Sequence, residues 1–313
     1  FIFIILLVIF FSMPKFSQHI SSACATMILT AGALAITATA PAVAAPVDNP
    51  TIDPVGYNIV NGVQDQEHPI TVADITKDTG SSSTPSSLGT HPILEQDNVE
   101  EKIIEGDSRT QVTTTTEAPF RWVGLITYTT QAGGTGRCTG SLVAADTVVT
   151  AGHCLNKNGS NITFTPGQNG ADKRFRTAKA SQVWYDKTGS AAGHDWGVIK
   201  LETPIGSDVG WFGMRTPEPG SLNGSFATVI GYPGDKPFGT MWKGRNKILK
   251  TNKLQAHYSA DTSDGESGAS IVDDTAIIYG IHTSGTNQQN WGTLLTGELF
   301  NTIVNISKRE VEG

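Results

Sequence analysis

The sequence predicts an all-β fold, a barrel or a sandwich, closed by one short C-terminal helix. Three observations predict it. Short runs rich in β-branched and aromatic residues recur at Trp122–Tyr128, Leu142–Val149, Trp196–Leu201, Phe226–Tyr232, Ser270–Val272 and Ala276–His282. Turn signals punctuate the same stretch, among them Asn158-Gly159, Asn169-Gly170, Asn223-Gly224 and Tyr232-Pro-Gly-Asp235. Even spacing of short strands and turns is the signature of sandwiches and barrels. The tail alone changes period: Leu299, Phe300, Ile303, Val304 and Ile306 fall at helical spacing.

Charge and composition divide the chain before this region begins. Residues 46–101 carry ten acidic side chains against the single Lys77, a net of −9, whereas residues 102–313 carry twenty basic and nineteen acidic side chains, a net of +1. All six tryptophans lie after residue 120, and Tyr57 is the only aromatic between 46 and 101. A stretch so poor in large apolar side chains, with Gly80-Ser-Ser-Ser-Thr-Pro-Ser-Ser87 inside it, is expected to stay disordered. The 212 residues that follow suffice for a sizeable core. Upstream, Lys15, an apolar run from about Ala25 to Ala40 and the small residues Ala42-Val-Ala-Ala45 fit a secretory signal peptide cut near Ala44 or Ala45. Met13 is the expected start of that signal, with residues 1–12 as a leader. The expected organisation is therefore a leader and signal peptide at 1–45, an acidic prosegment at 46–101 and a folded domain at 102–313, in a secreted, extracellular protein.

Of the three cysteines, Cys24 departs with the signal peptide, which leaves Cys138 and Cys154 as an even pair in an exported domain. They bracket a strand–turn–strand, so a bridge between them would brace the turn that carries His153.

That turn holds the first part of a reactive constellation. Thr150-Ala-Gly-His-Cys154 sets a histidine among small residues, and Asp264-Gly-Glu-Ser-Gly268 sets a serine between glycines. Serine attack on an amide needs a base within hydrogen-bond reach and a third group to orient that base. Ser267 is the expected nucleophile and His153 the base. The N–H groups of Gly265 and Ser267 are the expected oxyanion donors, each of a kind worth about 10²–10³ in rate. The acid is expected at Asp195, at the mouth of the apolar run 196–201, with Asp186 as its rival; His194 reads as a solvated neighbour. No motif for a metal, a phosphate or a dinucleotide occurs, so no cofactor is expected.

Six stretches together resemble the glutamyl endopeptidase (V8-like) branch of the chymotrypsin-fold serine proteases: Gly106–Val112, Cys138-Thr-Gly140, Thr150–Cys154, Gly231–Lys236, Asp264–Ser270 and Gly280–Gly285. The order His, Asp, Ser along the chain is the chymotrypsin order. The resemblance implies two six-stranded antiparallel β-barrels with the site between them, a removable prosegment, and a triad of His153, Asp195 and Ser267. It also places His282 and Thr262 where the branch binds the carboxylate of a substrate glutamate. Asp261, six residues before Ser267, points the other way, to a trypsin-like pocket for Arg or Lys. Cleavage after Glu, and less readily Asp, is the favoured expectation. Thr283 is a candidate to place its hydroxyl on Asp195. Glu266 departs from the Gln or Asn of the branch; an ion pair with a lysine or with a freed N-terminal amine is one reading, solvent exposure the other.

The expected partners are protein or peptide substrates and the prosegment itself, as an inhibitor that is cut away after Glu101 or Lys102. Near-neutral charge in the domain gives no case for nucleic acid. No stable membrane association is expected after processing, and a monomer is expected. A catalytically inactive binding protein of the same fold is the competing class.

Overall fold

The computed structural model describes residues 51–71, 81–86, 106–218 and 220–310. The chain divides into two units, Phe1–Asp48 and Asn49–Gly313. The leader, the signal peptide and the expected cut at 101–102 lie outside the described residues, and all that follows concerns the second unit.

Two closed barrels carry the domain. In the first, six strands run in the order Gly197–Leu201, Thr147–Thr150, Thr135–Ala144, Val123–Thr129, Ser160–Pro166 and Ala178–Asp186, and the last pairs back onto the first. The second closes in the same way through Ser270–Val272, Phe226–Gly231, Met241–Thr251, Gln255–Tyr258, Asn290–Leu294 and Ile277–Gly285. Every pairing within the two circuits is antiparallel. Closure leaves no open edge within either circuit, and the inward side chains of each strand pack as a core. Trp122, Trp184 and Trp196 are fully buried there. The aromatic-rich runs thus became strands because their alternation could bury one face against the next.

The C-terminal helix spans Gly297–Ser307. Thr296 caps it, its hydroxyl accepting from the Leu299 N–H at 3.2 Å. Leu299, Phe300, Ile303 and Ile306 face the core, as their spacing predicts. Lys200, fully buried in the first barrel, ties helix to barrel: its Nζ donates to Asp146 Oδ1 at 2.7 Å and to the Ser307 carbonyl at 3.0 Å. Among the described residues, no helix is long and apolar enough to cross a membrane.

Part of the segment expected to be disordered is ordered. Residues Pro54–Val60 form a strand that pairs antiparallel with Ala178–Asp186, from Pro54 opposite Asp186 to Asn58 opposite Gln182. Ser82–Ser83 pairs with Gly213–Arg215 on the second barrel. Poor composition limits what a segment can bury by itself; it does not prevent backbone pairing to a sheet that is already folded.

Candidate active site

His153 stands on a single 3-10 turn, Gly152–Cys154, directly after the strand Thr147–Thr150. Cys154 is bonded to Cys138 on the neighbouring strand, which ties the turn to the barrel wall. Gly152 is required there, because a Cβ would come within 2.7 Å of the Trp196 carbonyl and 3.3 Å of Asp195 Oδ1. The close approach brings in the carboxylate. Asp195 Oδ1 accepts the backbone N–H of His153 at 2.9 Å, and Oδ2 lies 2.8 Å from the ring Nδ1. A carboxylate can only accept, so Nδ1 carries the proton and Nε2 keeps its lone pair.

Asp186, the rival acid, belongs to a different pair. Its Oδ2 lies 2.9 Å from His194 Nδ1 and accepts the Asp53 N–H at 3.2 Å; Oδ1 accepts the Thr188 N–H at 2.8 Å. Burial pushes this carboxyl up, but these hydrogen bonds outweigh it and hold it below the ordinary carboxylate value. His194 is accordingly not a solvated neighbour: its side chain is only 12% exposed. A buried carboxylate needs a partner, and this histidine supplies one.

Ser267 sits in a turn of the second barrel, between the left-handed residues Gly265 (φ +94°) and Gly268 (φ +86°). A Cβ on Gly268 would meet Thr150 Oγ1 at 2.1 Å and the Thr139 carbonyl at 2.3 Å, so the Ser267 turn presses against the histidine-bearing barrel. Thr139, on the strand Thr135–Ala144, pins the two barrels together. Its hydroxyl donates to the Gly265 carbonyl at 2.9 Å and accepts the Tyr232 N–H at 3.0 Å, and its N–H donates to the Ser267 carbonyl at 2.9 Å. Among the described residues, the N–H groups of Gly265 and Ser267 have no acceptor.

His153, Asp195 and Ser267 line one open cleft of about 660 Å³, and Thr262 and His282 line it with them. His282 is almost fully buried, with Nδ1 at 2.5 Å from the Tyr258 hydroxyl. Burial, with His153 nearby, pushes its imidazole down to about 3, so the ring is neutral. Asp261 does not line the cleft. The N–H and the hydroxyl of Ser108 both donate to its Oδ2, at 2.9 and 2.5 Å. Thr283 also departs from expectation: its hydroxyl donates to the Trp291 carbonyl at 3.3 Å, and it is Thr293 that reaches Asp195, at the backbone carbonyl, 3.2 Å away.

Sequence reasoning left the partner of Glu266 open between a lysine, a freed amine and solvent. The structure supplies Arg109. Glu266 is fully buried; its Oε2 accepts the Ser263 N–H at 2.7 Å and lies 3.2 Å from Arg109 Nη1. Arg109 is shared with Asp107 and Asp235, so the stretch 107–109 clasps the Ser267 turn from outside. The Gly106–Val112 resemblance held the arginine, but 157 residues separate it from Glu266.

Comparison with known proteins places this geometry. The family description "Trypsin" matches residues 109–296. The chain is 36% identical over 213 residues to a Bacillus subtilis protein named extracellular metalloprotease, covering 64% of this chain and 68% of that one. It is 32% identical over 222 residues to a glutamyl endopeptidase of Bacillus licheniformis, covering 65% and 68%. A solved structure of a Glu endopeptidase superposes with a TM-score of 0.60 at 28% identity, over 66% of this chain and all of that one. The first of these names carries a metal. Among the described residues, the one group of three potential ligands is Cys138, His153 and Cys154. The disulfide consumes both sulfurs and His153 gives Nδ1 to Asp195, so this set does not fit a metal centre. A barrel pair, a His–Asp pair with a serine in the same cleft and two independent sequence matches agree: the chain belongs to the trypsin family of chymotrypsin-fold serine proteases.

Proposed function

We propose that the protein is a secreted endopeptidase that cleaves peptide bonds after glutamate, and less readily after aspartate, with His153, Asp195 and Ser267 as its catalytic residues. The observation that carries the catalytic half is the doubly bonded Asp195, which fixes both the His153 backbone and the Nδ1 proton. Nε2 then takes the Ser267 proton as Oγ attacks the scissile carbonyl. The oxygen that becomes negative is met by the free N–H groups of Gly265 and Ser267. His153 returns the proton to the leaving amine, and an acyl-enzyme remains on Ser267. Water, deprotonated by the same imidazole, releases the acid.

Specificity rests on His282 and Thr262, both in the cleft. A substrate carboxylate entering beside this imidazole would accept hydrogen bonds from the ring and from the threonine hydroxyl, and its charge would favour a protonated ring. The trypsin-like alternative loses its support, because Ser108 already occupies Asp261. Relatives named glutamyl endopeptidase favour the same pocket. Secretion is supported by the signal-like residues 13–45 and by the relative named extracellular. The segment 46–101 then acts as a prosegment, cut from the domain 102–313 after Glu101 or Lys102, and the processed protein acts as a monomer.

Digestion of a denatured protein, with the cut sites mapped by mass spectrometry, tests the pocket. Cuts after Glu and Asp are expected; cuts after Arg and Lys would overturn the assignment. A fluorophosphonate probe tests the nucleophile: it should label Ser267 and no other residue, and failure to label would favour an inactive binding protein. A mature N-terminus far from 102–104 would remove the processing site.

A further inference from the structure

We propose that the hairpin 52–66 is a lasting strand of the first barrel, so that a cut between 87 and 105 yields a two-chain protein rather than a freed prosegment. The proposal deepens the processing step above and rests on it for its biological occurrence.

The hairpin is fitted to the barrel. Gly56 lies flat against Trp184: a Cβ there would stand 2.6 Å from the indole ring, so no larger residue fits. Ile52 and Val55 are buried, and Tyr57 packs on Tyr185 with ring centroids 5.7 Å apart. Gln64 is buried too; its Nε2 donates to the Leu155 carbonyl at 2.7 Å, one residue beyond the disulfide at Cys154. Asn61 and Gly62 both have positive φ, the conformation of a tight hairpin turn, and the Gly62 carbonyl accepts the Asn161 N–H at 2.7 Å. Backbone pairing sets affinity in such strand additions, and pockets for alternate side chains set specificity; both are present here.

A second anchor lies downstream. The Thr216 N–H donates to the Ser81 carbonyl at 2.9 Å, and Ser86 exchanges two hydrogen bonds with Trp211, at 3.1 and 3.2 Å. None of residues 51–71 or 81–86 lines the cleft. Any restraint that the prosegment places on catalysis therefore does not come from these residues filling the cleft. Their contacts instead reach the supports of the catalytic groups: Leu155 beyond the His153 turn, and Asp186, whose partner His194 adjoins Asp195.

The test uses the full second unit with Ser267→Ala, to prevent self-digestion, and a single recognition site for a sequence-specific protease inserted between residues 92 and 100. The chain is cut, passed over gel filtration in native buffer, and the peak analysed by denaturing mass spectrometry. The N-terminal fragment is expected to co-elute one-to-one with the domain, and to separate at least ten times faster when Gly56→Val is present. Circular dichroism of the uncut Gly56→Val chain establishes that its barrels are folded. Elution of the unsubstituted fragment as a free peptide would overturn the proposal, and so would equal retention of the two fragments. Because the cut is engineered, these outcomes stand apart from the processing reading, which N-terminal sequencing of the secreted protein decides.

Discussion

Replacing Glu266 by glutamine should remove a pH dependence from the stability of the protein. Glu266 is fully buried, its Oε1 has no partner among the described residues, and its Oε2 faces Arg109 and the Ser263 N–H. Burial pushes its carboxyl up, the Arg109 guanidinium pulls it down, and burial prevails: the group titrates near about 7 instead of 4.5. The folded state thus holds this proton more tightly than the unfolded chain does. The stability that the protonated group contributes is complete below pH 4.5 and is lost as pH rises through 7. At 1.36 kcal/mol per pH unit, the gap amounts to about 3 kcal/mol. Glutamine carries no charge at any pH, and Arg109 retains Asp107 and Asp235. Urea unfolding in a Ser267→Ala background at pH 4 and at pH 8.5 measures the difference. The glutamine variant should gain about 3 kcal/mol on its parent between the two conditions. Parallel pH profiles for the two proteins would refute the reasoning and would mean that Arg109 alone compensates the buried charge.

Asp195→Asn should lower kcat by about 10⁴-fold, with little change in KM, because an amide that donates to Nδ1 moves the ring proton to Nε2; steady-state kinetics on a glutamyl peptide measure it. His282→Leu should reduce the preference for Glu over Gln in competing peptides by about 10- to 100-fold, the worth of one hydrogen bond to a charge. The paired change Cys138→Ala with Cys154→Ala should cost about 3 kcal/mol for a sixteen-residue separation, read as a lower urea midpoint with a slope that is equal or steeper, since the unfolded chain loses a cross-link.

The stretches around Ser267 and His153 were legible because their backbone geometry constrains neighbours in sequence: the glycines around Ser267 and the small residues before His153 stand beside the groups they position. The choice between Asp195 and Asp186 was legible only as a preference, since one precedes an apolar strand and the other ends one; the structure separates them by which histidine each one meets. The Arg109–Glu266 pair could not be read, because nothing in a linear spacing brings a residue at the start of the domain beneath the nucleophile turn. Thr283 was placed on Asp195 by resemblance alone; its hydroxyl instead goes to the Trp291 carbonyl, and Thr293 reaches the Asp195 backbone. The strand at Pro54–Val60 was missed for another reason: composition reports whether a segment can build its own core, and this one borrows a core from the barrel.

His153 and Ser267 stand on different barrels, and Thr139 is the hinge pin through which one holds the other. Turnover therefore reports the alignment of the two halves more sensitively than any measure of their integrity. A slip of a fraction of an ångström at that threonine would silence hydrolysis while every strand stayed paired. Mild denaturant should accordingly extinguish activity before tryptophan fluorescence changes, and an inactive preparation of this protein can be one whose barrels are intact but out of step.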